Sequence, residues 1–175
     1  MISAAEQAGL PAVRPSRWDM TGLSVEEGIS TRDITAVYSD PYILRVGHDD
    51  RPAAPIHHPA VTYLSARIDG QFVGAFMSIE FSDIEYELHA LLHRKAVYRS
   101  RELTRLLTDW AFSHPIERVT AYIIEGLESA FNFCRKIGFT YEGTRRNACR
   151  QGGVLKDVYV LGMTRAEWSE TRWVL

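Results

Sequence analysis

The chain has 175 residues, 46% of them hydrophobic, and a formal net charge of −2. This is one domain's worth of chain with enough length to bury a full core, and its charge balance gives no electrostatic case for nucleic acid or an anionic membrane surface as partner. No apolar run approaches the roughly 20 residues that a bilayer-spanning helix needs.

Residues 1–20, with Gly9, Pro11 and Pro15, read as an N-terminal arm. A short strand is expected near Ala12 to Arg14, with Trp18 as an anchor. The remainder, 21–175, reads as a single domain. Ser30-Thr31-Arg32-Asp33 opens a helix carrying Ile34, Val37 and Tyr38. Asp40-Pro41 ends or kinks it, and a second short helix is expected over Pro41 to Val46. Gly47 to Pro59 is a proline-bearing loop.

Three strands follow as a meander: Ala60 to Ile68, Gln71 to Phe81 and Ile84 to Leu92, joined at Asp69-Gly70 and Ser82-Asp83. His93 to Arg101 reads as a basic loop. Leu103, Leu106, Leu107, Trp110 and Ala111 then recur at i, i+3, i+4, i+7 and i+8, the best amphipathic helix in the chain, which His114-Pro115 stops. Val119 to Ile124 is a β-branched run of strand length. Ala130, Phe133, Cys134 and Ile137 form the next helical stripe, with Ser129 as its expected cap and Gly138 at its left-handed end. Phe139 to Glu142 starts a strand, Gln151-Gly152-Gly153 turns Tyr141–Arg146 back into Val154–Met163, and Ala166-Glu167-Trp168 is a short terminal element.

Some residues are chemically suggestive. Glu87 and His89 are two apart on an expected strand, hence on one face, and form either a proton-accepting pair or a polar patch. Arg94, Lys95, Arg99, Arg101 and Arg105 are either an anion grip or a solvated basic edge. His57-His58 has no further ligand at metal spacing, so no metal is expected. Arg145, Arg146 and Arg150 lack the interleaved aromatics of a nucleic-acid surface. Cys134 and Cys149 make no disulfide framework and are read as reduced thiols of a cytoplasmic protein, a reading that fits the absence of a basic, apolar leader in Met1 to Gln7.

The segment Phe133-Cys134-Arg135-Lys136-Ile137-Gly138-Phe139, followed by Tyr141-Glu142-Gly143-Thr144-Arg145, resembles the F-C-x-K-x-G-F-x-x-E-G-x-x-R stretch of the GNAT acetyl-CoA-dependent N-acetyltransferases, in their ribosomal-protein-acetyltransferase branch. Gly152-Gly153, Asp157, Leu161-Gly162-Met163 and Glu167-Trp168 are similar to that branch's tail. The resemblance implies an α+β fold with a mixed, mostly antiparallel sheet and helices on both faces. It implies acetyl transfer from acetyl-CoA to a primary amine acceptor, with the cofactor's pantetheine between two splayed parallel strands, here Ile84–Leu92 and Arg118–Ile124. Its pyrophosphate would be held at Leu92, Arg94 and the segment Arg99-Ser100-Arg101-Glu102-Leu103-Thr104. That segment stands where the family has R/Q-x-x-G-x-G/A, with Glu102 and Thr104 replacing the two small residues. Glu87 or His89 falls at the base, Cys134 at the position of a general acid, and Leu127 where many members have asparagine. The Glu-Leu-His stretch at 87–89 is also similar to GNAT-like proteins encoded among tailed-phage structural genes. A non-catalytic assembly role, with protein partners or a homo-oligomer inside a phage particle, is the alternative.

Overall fold

A computed structural model describes residues 17–47 and 49–171. Eight strands form one sheet in the order β1-β2-β3-β4-β5-β6-β8-β7. These are β1 (Arg17–Met20), β2 (Leu23–Glu27), β3 (Val61–Ile68), β4 (Gln71–Glu80), β5 (Glu85–Leu92), β6 (Arg118–Ile124), β7 (Thr140–Gln151) and β8 (Val154–Thr164). All named neighbours are antiparallel except β5 and β6. The helices are α1 (Thr31–Tyr38), α2 (Pro41–Gly47), α3 (Ser100–Phe112), α4 (Glu128–Lys136) and α5 (Arg165–Thr171). This is the α+β architecture, with helices on both faces, that the resemblance implies.

Strand alternation divides the apolar side chains between two cores. On one face Leu64, Phe76, Leu88, Val119, Leu161 and Met163 meet the α3 stripe of Leu103, Leu106, Leu107 and Trp110, with Phe131 and Cys134 of α4 and Trp168 of α5 at the margin. On the other, Ala75, Met77 and Leu91 meet Val37 of α1 and Ile43 of α2. Trp110 is 2% exposed, and its indole N–H donates to Glu27 Oε1 at 2.6 Å, so the burial leaves no polar group unpaired.

Several expectations change in detail. Arg17–Met20, the last part of the expected arm, is the edge strand β1, and Trp18 meets Trp110 edge-on with centroids 6.4 Å apart. The strand expected near Ala12 to Arg14 lies outside the described residues. Part of the basic loop after β5 is a 3-10 helix, Arg94–Arg99, that runs directly into α3 and buries only Ala96. On α4, Phe131 and not Phe133 packs on the core together with Cys134 and Ile137, and no residue of this helix is fully buried. Leu127, not Ser129, occupies its cap position. The tight turn before it, with Gly126 at φ 93° and Leu127 N–H donating to Ile124 O at 3.2 Å, starts the helix two residues earlier than the serine suggests.

Candidate functional site

The pairing of β5 with β6, the one parallel ladder among the described strands, is short. β5 and β6 face each other at Glu85–Arg118, Tyr86–Val119 and Glu87–Thr120, after which both continue without pairing, β5 to Leu92 and β6 to Ile124. Each is held on its outer side instead. Leu92 is still paired with Gly74 of β4, and Ile124 with Val158 of β8. The hold at Gly74 is close: a Cβ there would sit 2.5 Å from the Leu91 carbonyl oxygen and 2.7 Å from Leu92 Cα, at a φ of 136°. The fork therefore has two facing strand edges whose peptide groups are not committed to one another, and backbone groups so placed take an extended partner.

The apex of the fork is polar. Residues directly opposite in a ladder share a face. Through Met77–His89 and Ile79–Glu87, the side chains of Glu87 and His89 stand on the α1–α2 face. His89 Nε2 donates to Glu87 Oε1 at 2.6 Å, and both side chains keep partial access to solvent. Thr120, 1% exposed, donates its hydroxyl to Glu85. Arg118 donates to Glu142 Oε2 at 2.6 Å and lies 3.4 Å from Glu85. The Glu142 hydrogen bond comes first in raising its pKa. Gly162 makes room for this cluster, because a Cβ there would meet Glu142 Oε1 at 2.3 Å and Arg118 Nη2 at 2.6 Å. Three carboxylates against one guanidinium give the row a negative balance, which suits an ammonium group.

Two ties hold the α2 side of the fork. Asp40 accepts Tyr42 N–H at 2.7 Å and Ile43 N–H at 3.3 Å, and the imidazole of His93, at the end of β5, donates to its other oxygen. Burial alone would raise the Asp40 carboxyl, but the His93 bond and the two amides bring it below its ordinary value. Asp50 accepts Gly152 N–H at 2.7 Å and Gly153 N–H at 2.8 Å, which fastens the loop after α2 to the tip of the β7–β8 hairpin.

The cofactor-turn residues divide into two kinds. Leu92 and Leu103 are core side chains, 9% and 0% exposed, so anything they present to a ligand is backbone. Arg94 and Arg101 are exposed. Ser100 donates its hydroxyl to Val97 O at 2.7 Å and so does not cap α3. Arg99 occupies the cap position without a side-chain hydrogen bond to the helix, and the first-turn N–H groups of α3 have no side-chain acceptor there. Arg99 Nε instead donates to Glu102 Oε1 at 2.7 Å. Thr104 is buried at 8% exposure. Cys134 packs at the core margin, and burial pushes its thiol up to about 11, which keeps it protonated at neutral pH. His57 and His58 border a shallow hollow with Ile56, Pro59, Val61 and Tyr63, and His58 Nδ1 accepts Ala60 N–H at 3.1 Å.

Glu85, Arg118, Thr120 and Glu142 were not singled out in the sequence. Period-two spacing does place Glu85 with Glu87 and Arg118 with Thr120, and that alternation was the available signal. Nothing local brings Glu142 to them.

No protein-family model matches the chain, and no curated protein matches it. Solved structures do match. Spermidine N-acetyltransferase from Vibrio cholerae, in complex with CoA and spermine, superposes with a TM-score of 0.74 at 14% identity, over 86% of this chain and 99% of that one. A GCN5-related N-acetyltransferase from Brucella melitensis gives 0.75 at 12% identity, over 93% of this chain and 84% of that one. At such identities the likeness is one of fold: the chain has the GNAT acetyltransferase fold.

Proposed function

We propose that this protein is an N-acetyltransferase of the GNAT type that moves an acetyl group from acetyl-CoA to a small amine. The observation that carries the reading is the fork: two parallel strands part beside the start of a helix whose first N–H groups have no side-chain cap, with a Glu–His pair at the apex. The residues present fit the cofactor. The start of α3, which no side chain caps and whose Ser100 N–H is taken by Val97 O, turns a positive dipole end to a diphosphate, Arg99 and Arg101 add charge, and the open edges of β5 and β6 suit the amides of an extended pantetheine. The cofactor supplies an acetyl group activated as a thioester.

The chain's own residues perform the rest. The carboxylates of Glu85, Glu87 and Glu142 draw an ammonium to the apex. Glu87 and His89, joined at 2.6 Å, take the proton that the amine must lose before its lone pair can form the new C–N bond. As the C–S bond breaks, the departing thiolate needs a proton. Cys134, held protonated by burial, is our candidate donor. The structural likeness to an enzyme solved with spermine supports an amine acceptor.

Titration calorimetry with acetyl-CoA is expected to give micromolar binding, and release of free CoA thiol in the presence of an amine panel to give turnover. No heat and no thermal shift at millimolar acetyl-CoA would overturn the reading.

The Arg99–Glu102 ion pair favours a second reading. An internal carboxylate there competes for the charge a diphosphate would use, as it would in a GNAT-fold assembly protein such as a tailed-phage virion component. The exposed apolar residues Phe81, Ile84, Val154 and Leu155 at two hairpin ends would then meet protein partners. A stable monomer that turns over acetyl-CoA would end this second reading.

A further inference from the structure

On the sheet face opposite Glu87 and His89, a cleft of about 180 Å³ opens between α3, the C-terminal end of α4, and α5. Ile137, Met163 and Trp168 give it an apolar floor, while Arg101, Arg105, Arg135 and Lys136 bring four cations to its lining. Among the described lining residues the one carboxylate, Asp109, already accepts the Trp168 indole N–H at 3.0 Å.

Thr104 also lines this cleft, and its hydroxyl is unusual. It is buried, at 8% residue exposure, and has no hydrogen-bond partner among the described residues. Helical hydroxyls normally donate back to the preceding turn, as Thr108 does to Arg105 O at 2.9 Å and Thr171 to Glu167 O at 2.9 Å. Thr104 sits on the same side of α3 as Thr108 and does not. A buried hydroxyl left without a partner is destabilising. Threonine in a helix has two accessible χ1 rotamers, so the hydroxyl of this cleft-lining residue can exchange places with its methyl and meet a ligand in the cleft.

We infer that this cleft is a binding site for a small carboxylate carried on a flat apolar body, separate from the acetyl-CoA fork. The apolar body lies on Ile137, Met163 and Trp168. The carboxylate faces Arg135 and Lys136 and takes the Thr104 hydroxyl as donor. The volume is comparable to that of apolar cavities that take a single benzene ring. The site does not depend on the transferase reading, because its ligand is not the cofactor and its test needs no turnover.

The experiment is calorimetric titration of the full chain with benzoate, and with benzyl alcohol and benzylamine as its neutral and cationic counterparts. Benzoate is expected to bind at least tenfold tighter than either. The near-isosteric Thr104→Val, which removes an unsatisfied donor, is expected to retain or raise Tm and to weaken benzoate at least tenfold. Arg135→Gln, at an exposed position that does not threaten folding, is expected to weaken it at least threefold. Saturating CoA is expected to leave benzoate binding unchanged. Equal affinity for the three probes, full benzoate affinity in both variants, or one-for-one competition with CoA would each overturn the proposal, the last by returning the cleft to the cofactor.

Discussion

The outer helices of the chain and its central pair begin differently. At α5, Thr164 Oγ1 accepts Glu167 N–H at 3.3 Å while Glu167 Oε2 accepts Thr164 N–H at 2.7 Å, a reciprocal capping box. Ser30 caps α1 by accepting Asp33 N–H, and Asp40 does the same for two amides of α2. At α3 and α4 the cap positions hold Arg99 and Leu127, and neither side chain bonds to the helix. These two bare starts belong to the helices that precede and follow β6, one strand of the fork. A start without a side-chain cap leaves its positive dipole end open to an anion, even where backbone carbonyls take Ser100 N–H at α3 and Ala130 N–H at α4. The contrast teaches where this fold accepts stability below its maximum, and that place coincides with the separation of β5 from β6.

The comparison breaks most visibly at the apex. Glu87→Gln keeps the shape of the side chain and removes the proton acceptor paired with His89. It is expected to lower kcat by about 10²–10⁴-fold, with acetyl-CoA affinity by calorimetry unchanged. Retained turnover would remove Glu87 from the mechanism.

Arg99→Asp would make α3 begin as α1 does. A carboxylate at that cap position is expected to raise stability by about 1 kcal/mol, read as a Tm increase of about 2–4 °C. The same change covers the helix start with a carboxylate and reverses the charge, so acetyl-CoA affinity is expected to fall by about two orders of magnitude. A variant that gains stability and still binds would show that the helix start is not the phosphate site. In the opposite direction, Glu102→Gly releases Arg99 and brings back one of the family's small residues. A several-fold gain in acetyl-CoA affinity by calorimetry is the expected result, smaller than the loss in Arg99→Asp because glycine early in a helix costs about 1 kcal/mol of its own.

What the residues disclosed in advance follows how local each signal is. The α3 stripe and the β3–β4 hairpin were legible because each depends on residues within a few positions. Asp69 at φ 49° and Gly70 at φ 76° show the left-handed turn that their order signals. The pairing of Glu87 with His89 followed from period-two spacing alone. The 3-10 helix after β5 was not legible, since burying Ala96 alone leaves no stripe to read. Strands β1 and β2 gave weak signals over four and five residues; β2 is placed by pairing with the distant β3, and β1 by pairing with β2. The Glu85–Thr120–Arg118–Glu142 row draws on three strands and depends on Gly162 leaving room. No short window of sequence contains it.

The smallest effect tests the capped side of the comparison. The Thr164 amide and hydroxyl hold the Glu167 carboxyl below its ordinary value of 4.5, the amide first, with Thr140 adding a bond at 3.0 Å. A carboxyl that titrates lower when folded than when unfolded contributes stability above the unfolded value, and that contribution is lost as pH falls through the folded one. Glu167→Ala is therefore expected to cost about 1 kcal/mol near neutral pH, a Tm decrease of about 2–4 °C. The gap to the unmodified chain should narrow progressively once the pH drops below 4.5. Paired melting curves across that range check it, with acetyl-CoA binding measured alongside. A capping box at α5 is a device of stability alone, so the variant should bind acetyl-CoA as the parent does. If it instead lost binding, capped and uncapped starts would not divide the labour of the fold in the way their hydrogen bonds suggest.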